Sequence, residues 1–83
     1  MMNPLYAQYK ENEDHNEHTE NLLLLAQTFG TEQEIAEISL MIIKRNRMGY
    51  VNFLDHARGR DIHDKYYKKL YALKDVTTYG EQQ

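Results

Sequence analysis

Residues 30–49 read GTEQEIAEISLMIIKRNRMG, and this stretch decides the fold class. Thr31 and Glu34 have the spacing of a capping box: the hydroxyl accepts an orphan helix N–H, and the carboxylate reaches back to the N-cap N–H. Apolar residues then recur at helical spacing. Ile35, Ile38 and Ile42 lie on one stripe with Met41 nearby and Arg45 at its end, while Ala36, Leu40 and Ile43 lie on a second. Acids fill the first turns (Glu32, Glu34, Glu37) and bases the last (Lys44, Arg45, Arg47), which suits the helix macrodipole at both ends. Gly49 stops the pattern, and the spacing predicts a helix over residues 32–47.

Upstream, Leu22, Leu25, Ala26 and Phe29 give a second core-facing stripe, and Leu23 and Leu24 widen it. Asp14 and Glu17 have capping-box spacing, so a helix is expected over 15–29, closed by Gly30 as a left-handed residue. A link of one or two residues predicts that these two helices form an antiparallel hairpin. Residues 1–13 mix aromatic and polar residues without a period. They are expected to be a flexible arm, ordered only if something holds it.

Downstream, a short helix is expected over 51–57 with Phe53, Leu54 and Ala57 on its inner side. Gly59 predicts a break, because glycine costs ~1 kcal/mol relative to alanine inside a helix. Asp61 then caps a helix over 62–75 with Ile62, Tyr66, Leu70 and Leu73 inward; the alternative is one helix over 51–75 that carries Gly59 inside it. Residues 77–83 are expected to fray. The expected architecture is all-α, a small three- or four-helix bundle built on the antiparallel hairpin, with one domain over 14–76.

The 83 residues leave room for one core, and a chain this small buries only about two-thirds of the surface it exposes unfolded. Cysteine is absent, which excludes disulfides and thiolate metal sites. Small scaffolds without staples gain stability by oligomerising. The doubled stripe over 32–47 and the leucine run at 22–25 offer more apolar surface than one hairpin covers, so a homodimer or higher homo-oligomer is expected. The longest apolar run, 22–26, is too short to cross a bilayer. The first residues show no basic stretch leading into an apolar one, so no secretory signal is expected and the cytoplasm is the expected compartment.

Charge is split along the chain. Residues 1–40 hold one base (Lys10) against eight acids, and residues 41–75 hold nine bases against four acids. Such a split hints at an acidic or polyanionic partner. The basic half is also rich in tyrosine, and the candidate contact residues are Arg45, Arg47, Tyr50, Arg58, Arg60, Lys65, Tyr67, Lys68, Lys69 and Tyr71. Tyrosine and arginine anchor protein interfaces. The same residue types stack bases and neutralise phosphates in single-stranded nucleic-acid binding.

Other constellations point elsewhere. His15 and His18 are spaced i, i+3, but no HExxH accompanies them, and neither a metal nor a cofactor is expected. The segment Leu25-Ala26-Gln27-Thr28-Phe29-Gly30 looks like the turn of a helix-turn-helix, yet the helix after it opens with Glu32, Glu34 and Glu37, which repel phosphates. Arg58-Gly59-Arg60-Asp61-Ile62-His63 resembles the short motif of HEPN-type ribonucleases. The resemblance covers six residues, and Gly59 stands where that family usually has a polar residue. It implies that Arg58 and His63 would act on an RNA phosphodiester.

The expectation is a non-catalytic binding or inhibitor-type accessory protein, of the short cysteine-free kind common in phages and mobile elements. Its basic, tyrosine-rich surface would meet an acidic protein partner, and it would act as a homo-oligomer. The alternative is RNA or single-stranded DNA binding through the same surface, and the minor alternative is a small ribonuclease with the Arg-x4-His motif.

Overall fold

The computed structural model describes residues 2–76, and its helices are α1 (Pro4–Asp14), α2 (His18–Phe29), α3 (Glu32–Met48) and α4 (Phe53–Ala72). No strand occurs among the described residues. The tail expected to fray over 77–83 lies outside them.

α3 begins as the capping box requires. The Thr31 hydroxyl accepts the Glu34 N–H at 3.2 Å, and the Glu34 carboxylate accepts the Thr31 N–H at 2.9 Å. It ends at Gly49, whose φ of 85° is the left-handed conformation that glycine adopts without strain. α2 starts later than expected. Asp14 ends α1 instead of capping α2, Asn16 turns the chain at a φ of 59°, and Glu17 takes the N-cap position without a side-chain cap bond. Gly30 is extended rather than left-handed. Its reason is room, since a Cβ there would lie 2.7 Å from Glu34 Oε1 and 3.0 Å from the Ala26 carbonyl.

The arm expected over residues 1–13 is replaced by α1. Asn3 caps it by accepting the Leu5 N–H at 2.8 Å, and Pro4 sits in the first turn, where its missing N–H costs nothing. Asn3 also donates its backbone N–H to Lys74 O at 2.8 Å and its side-chain amide to Val76 O at 2.6 Å, which ties the start of the chain to the end of α4. Tyr6 and Tyr9 carry the packing and are buried. Asn21 of α2 is buried against the same helix, donating to Tyr9 O at 3.0 Å and accepting from Asn12 at 3.0 Å.

The break expected at Gly59 does not occur; α4 runs through it, as the single-helix alternative has it. Asn52 caps α4 by accepting the Asp55 N–H at 2.8 Å. Gly59 is buried where α4 meets α2, and a Cβ there would lie 2.7 Å from Leu22 Cδ1. Close helix approach therefore overrides the propensity cost.

α2 packs against each of the other three helices, most extensively against α3 and α4. The core is Tyr6, Tyr9, Leu25, Ala26, Ile38, Ile62, Tyr66 and Leu70, with Leu22, Phe29, Ile35 and Ile42 packed on it. Leu25, Ile38, Ile62 and Leu70 are fully buried, and each such side chain contributes about 1.5–3 kcal/mol relative to exposure. Among the described residues no helix is long and apolar enough to cross a membrane.

Candidate interaction surface

The contact residues read from the sequence divide into two groups. Four of them serve the fold. Arg45 grips Glu20 with both guanidinium nitrogens, at 3.0 and 2.8 Å, and joins α3 to α2. Arg58 does the same to Glu37, at 2.9 and 3.0 Å, and joins α4 to α3. Each pair holds its carboxyl below the usual carboxylate range and its guanidinium above its ordinary value, with the direct hydrogen bond as the main cause. Lys65 reaches Glu34 at 3.1 Å from an otherwise exposed position. Tyr67 is half-buried, stacked on His63 at 5.0 Å and packed beside Tyr9 at 5.4 Å. The charge split between the two halves of the chain is thus neutralised in part across helix boundaries. Lys44 with Asp55, at 2.9 Å, adds a further pair between α3 and α4.

The other six, Arg47, Tyr50, Arg60, Lys68, Lys69 and Tyr71, are exposed. The helices distribute them over separate places. Arg47 is on the outward side of α3, and Tyr50 is in the link to α4. Lys69 lies over the Tyr66 ring at 5.8 Å, and Tyr71 meets Tyr6 edge-on at 6.1 Å.

The structure adds exposed apolar residues. Phe53 is 83% and Leu54 77% exposed, beside Met48 and Tyr50 in the chain, where α3 turns into α4. Phe53, Leu54 and Ala57 therefore do not form the inner side of a helix. Tracing the buried stripe Leu70, Tyr66, Ile62, Gly59 back by threes and fours leads to Asp55, so Phe53 and Leu54 fall outside it. Leu40 and Ile43, on the second stripe of α3, are each 54% exposed.

A cleft of about 680 Å³ opens between the helices. Leu22, Met41 and Gly59 line it together with His18, His56, Arg60 and His63. His63 faces the Tyr9 hydroxyl at 2.9 Å through Nε2 and Asp64 at 3.3 Å through Nδ1. Burial, then the charge of Glu13, pushes the Tyr9 phenol up to about 12, so it remains a neutral hydroxyl. Arg58 and His63, paired in the ribonuclease-like motif, are not brought together: Arg58 turns to Glu37 on α3 and His63 to Tyr9 on α1. Five residues along a helix rotate a side chain by roughly 140° net, which accounts for the divergence. His15 and His18 are exposed. Among the described residues no three His, Asp or Glu side chains converge on a metal position. Comparison with known proteins finds no matching family, no similar curated protein and no similar solved structure.

Proposed function

We propose that this is a non-catalytic binding protein that takes a protein partner at the corner where α3 passes into α4. The observation that carries the reading is the exposure of Phe53 and Leu54, two large apolar residues side by side, next to Met48 and Tyr50. Interfaces are anchored by aromatic and large apolar side chains that fill a pocket on the partner, with charged residues at the rim. The complementary surface on the partner is therefore apolar. Nucleic-acid binding through the basic half is less well supported, because Arg45, Arg58 and Lys65 already face carboxylates. The acids Asp61 and Asp64 are exposed on the same helix as Arg60 and Lys68.

The test is affinity capture from the native cells with the wild-type chain and with Phe53→Ser/Leu54→Ser, both first matched by helical circular dichroism. A specific protein retained by the wild type should bind the variant about 30-fold more weakly or worse, the effect of losing one ~2 kcal/mol anchor. Equal retention, or no specific protein at all, would overturn the reading. So would tight, salt-sensitive retention of RNA or single-stranded DNA in a gel shift.

A further inference from the structure

α3 carries two seams. The inner one, Glu34, Ile38, Met41 and Arg45, is buried or half-buried within the fold. The outer one, Gln33, Ala36, Leu40, Ile43 and Arg47, is exposed throughout. Its steps of three, four, three and four residues are those of a coiled-coil seam, in which alternate three- and four-residue spacing keeps one edge of a helix facing a neighbour. Leu40 and Ile43 occupy its middle, and Leu40 is also the central residue of α3.

Charge identifies the occupant. The exposed side of α3 begins with Glu32 and ends with Arg47, and neither has an ion-pair partner among the described residues. A parallel neighbour of the same kind would set Arg47 against Arg47 and Glu32 against Glu32. An antiparallel neighbour of the same kind sets acid against base at both ends at once. A two-fold axis produces that arrangement, because each contact then occurs twice with the partners exchanged.

We infer that the outer seam of α3 is the interface of a symmetric dimer, occupied by α3 of a second copy running antiparallel. In the antiparallel register Leu40 packs on the second copy's Ile43, and Ile43 on the second copy's Leu40, giving four apolar side chains around the axis. The small Ala36 meets the second copy's Arg47, whose aliphatic stem lies along it while the guanidinium reaches the acidic first turns. This interface does not depend on the Phe53–Leu54 corner and leaves it free for a different protein.

The experiment is mass measurement by light scattering over a wide concentration range, on the whole chain. Wild type should reach twice 9.9 kDa, and Leu40→Glu should stay at 9.9 kDa. Arg47→Glu and Glu32→Lys, each alone, should weaken self-association by at least about tenfold, since each sets like charges together at both ends. Mixed in equal amounts, the two variants should restore the doubled mass, because every end contact in the mixed dimer is again opposite in charge. A wild-type mass fixed at 9.9 kDa overturns the inference, and so does a dimer indifferent to Leu40→Glu. Failure of the mixture to dimerise overturns the antiparallel register. Phe53→Ser/Leu54→Ser should keep the doubled mass, which separates failure of this interface from failure of the corner.

Discussion

Replacing Glu34 by glutamine should expose how much one buried carboxylate contributes to this fold. Glu34 is 4% exposed and accepts from the Thr31 N–H, the Thr31 hydroxyl, the Tyr66 hydroxyl and the Lys65 ammonium. It therefore binds the start of α3 to the second half of α4. The Tyr66 hydroxyl bond is the main cause that holds its carboxyl down at about 2, against burial, which acts in the opposite direction. A hydrogen bond to a charged group is worth about 1.5–3 kcal/mol, and a buried hydroxyl left unpaired costs about 1–3 kcal/mol. Glu34→Gln removes the charge and one acceptor oxygen, so a loss of about 2–4 kcal/mol is expected. At about 0.05–0.15 kcal/mol per residue the whole domain has roughly 4–12 kcal/mol, so the variant is measurable but close to the edge. Tyr66→Phe should cost about 1.5–3 kcal/mol, and the double variant should fall short of the sum by at least about 1 kcal/mol. Urea unfolding followed by helical circular dichroism gives all three values. The pH dependence has a definite sign. Because the folded value lies below 4.5, the stabilisation is complete above that pH and is lost as pH falls toward about 2. The glutamine variant should lose this part of the acid limb and keep the part due to Glu20 and Glu37. An additive double variant, or an unchanged acid limb, would refute the reasoning.

Ile38→Ala should cost about 2–5 kcal/mol in urea unfolding, because the side chain is fully buried between α3 and the rest of the core. Gly59→Ala should change stability by less than about 1 kcal/mol: the gain in helix propensity is offset by displacing Leu22, which can rotate toward the cleft. In a Leu22→Ala background the same change should become stabilising. Asn3→Ala should cost about 1–2 kcal/mol through the lost cap. Its effect should be concentrated in faster hydrogen exchange of the α1 amides, and uniform exchange across all four helices would contradict the clasp.

The legible parts of the sequence were those settled by local chemistry. Thr31, Glu34 and Gly49 mark the ends of α3 whatever surrounds them, and the Ile62, Tyr66, Leu70 spacing gave the buried side of α4. The helix at the start is not legible because residues 1–13 show no apolar period, and its burial rests on the isolated Tyr6 and Tyr9 and on Asn21 of another helix. Asn3 followed by Pro4 was the available signal, an N-cap before a first-turn proline. Gly59 was read by propensity, whereas its role is set by Leu22, 37 positions away in the chain. The candidate site was legible only in outline. Arginines and carboxylates that neutralise one another across helices look in the sequence like free charge, because their pairing exists only after packing. Phe53 and Leu54, being apolar, read as inward in the sequence, and only the phase of the whole α4 stripe shows that they are not.

Asn3 and Val76, joined by a side-chain bond, are 73 positions apart. A chain made from its N-terminus outward has α1 long before it has the partner that fixes Asn3. The short links from α1 to α2 and from α2 to α3, three and two residues, close early, whereas the clasp of Asn3 onto the end of α4 spans nearly the whole described chain. At about 5–20 residues per second, synthesis leaves Asn3 unclasped for roughly 4–15 s. During that interval the rings of Tyr6 and Tyr9 wait for Tyr67 and Tyr71 of α4. Of these four helices the one made earliest is therefore the one whose clasp closes last.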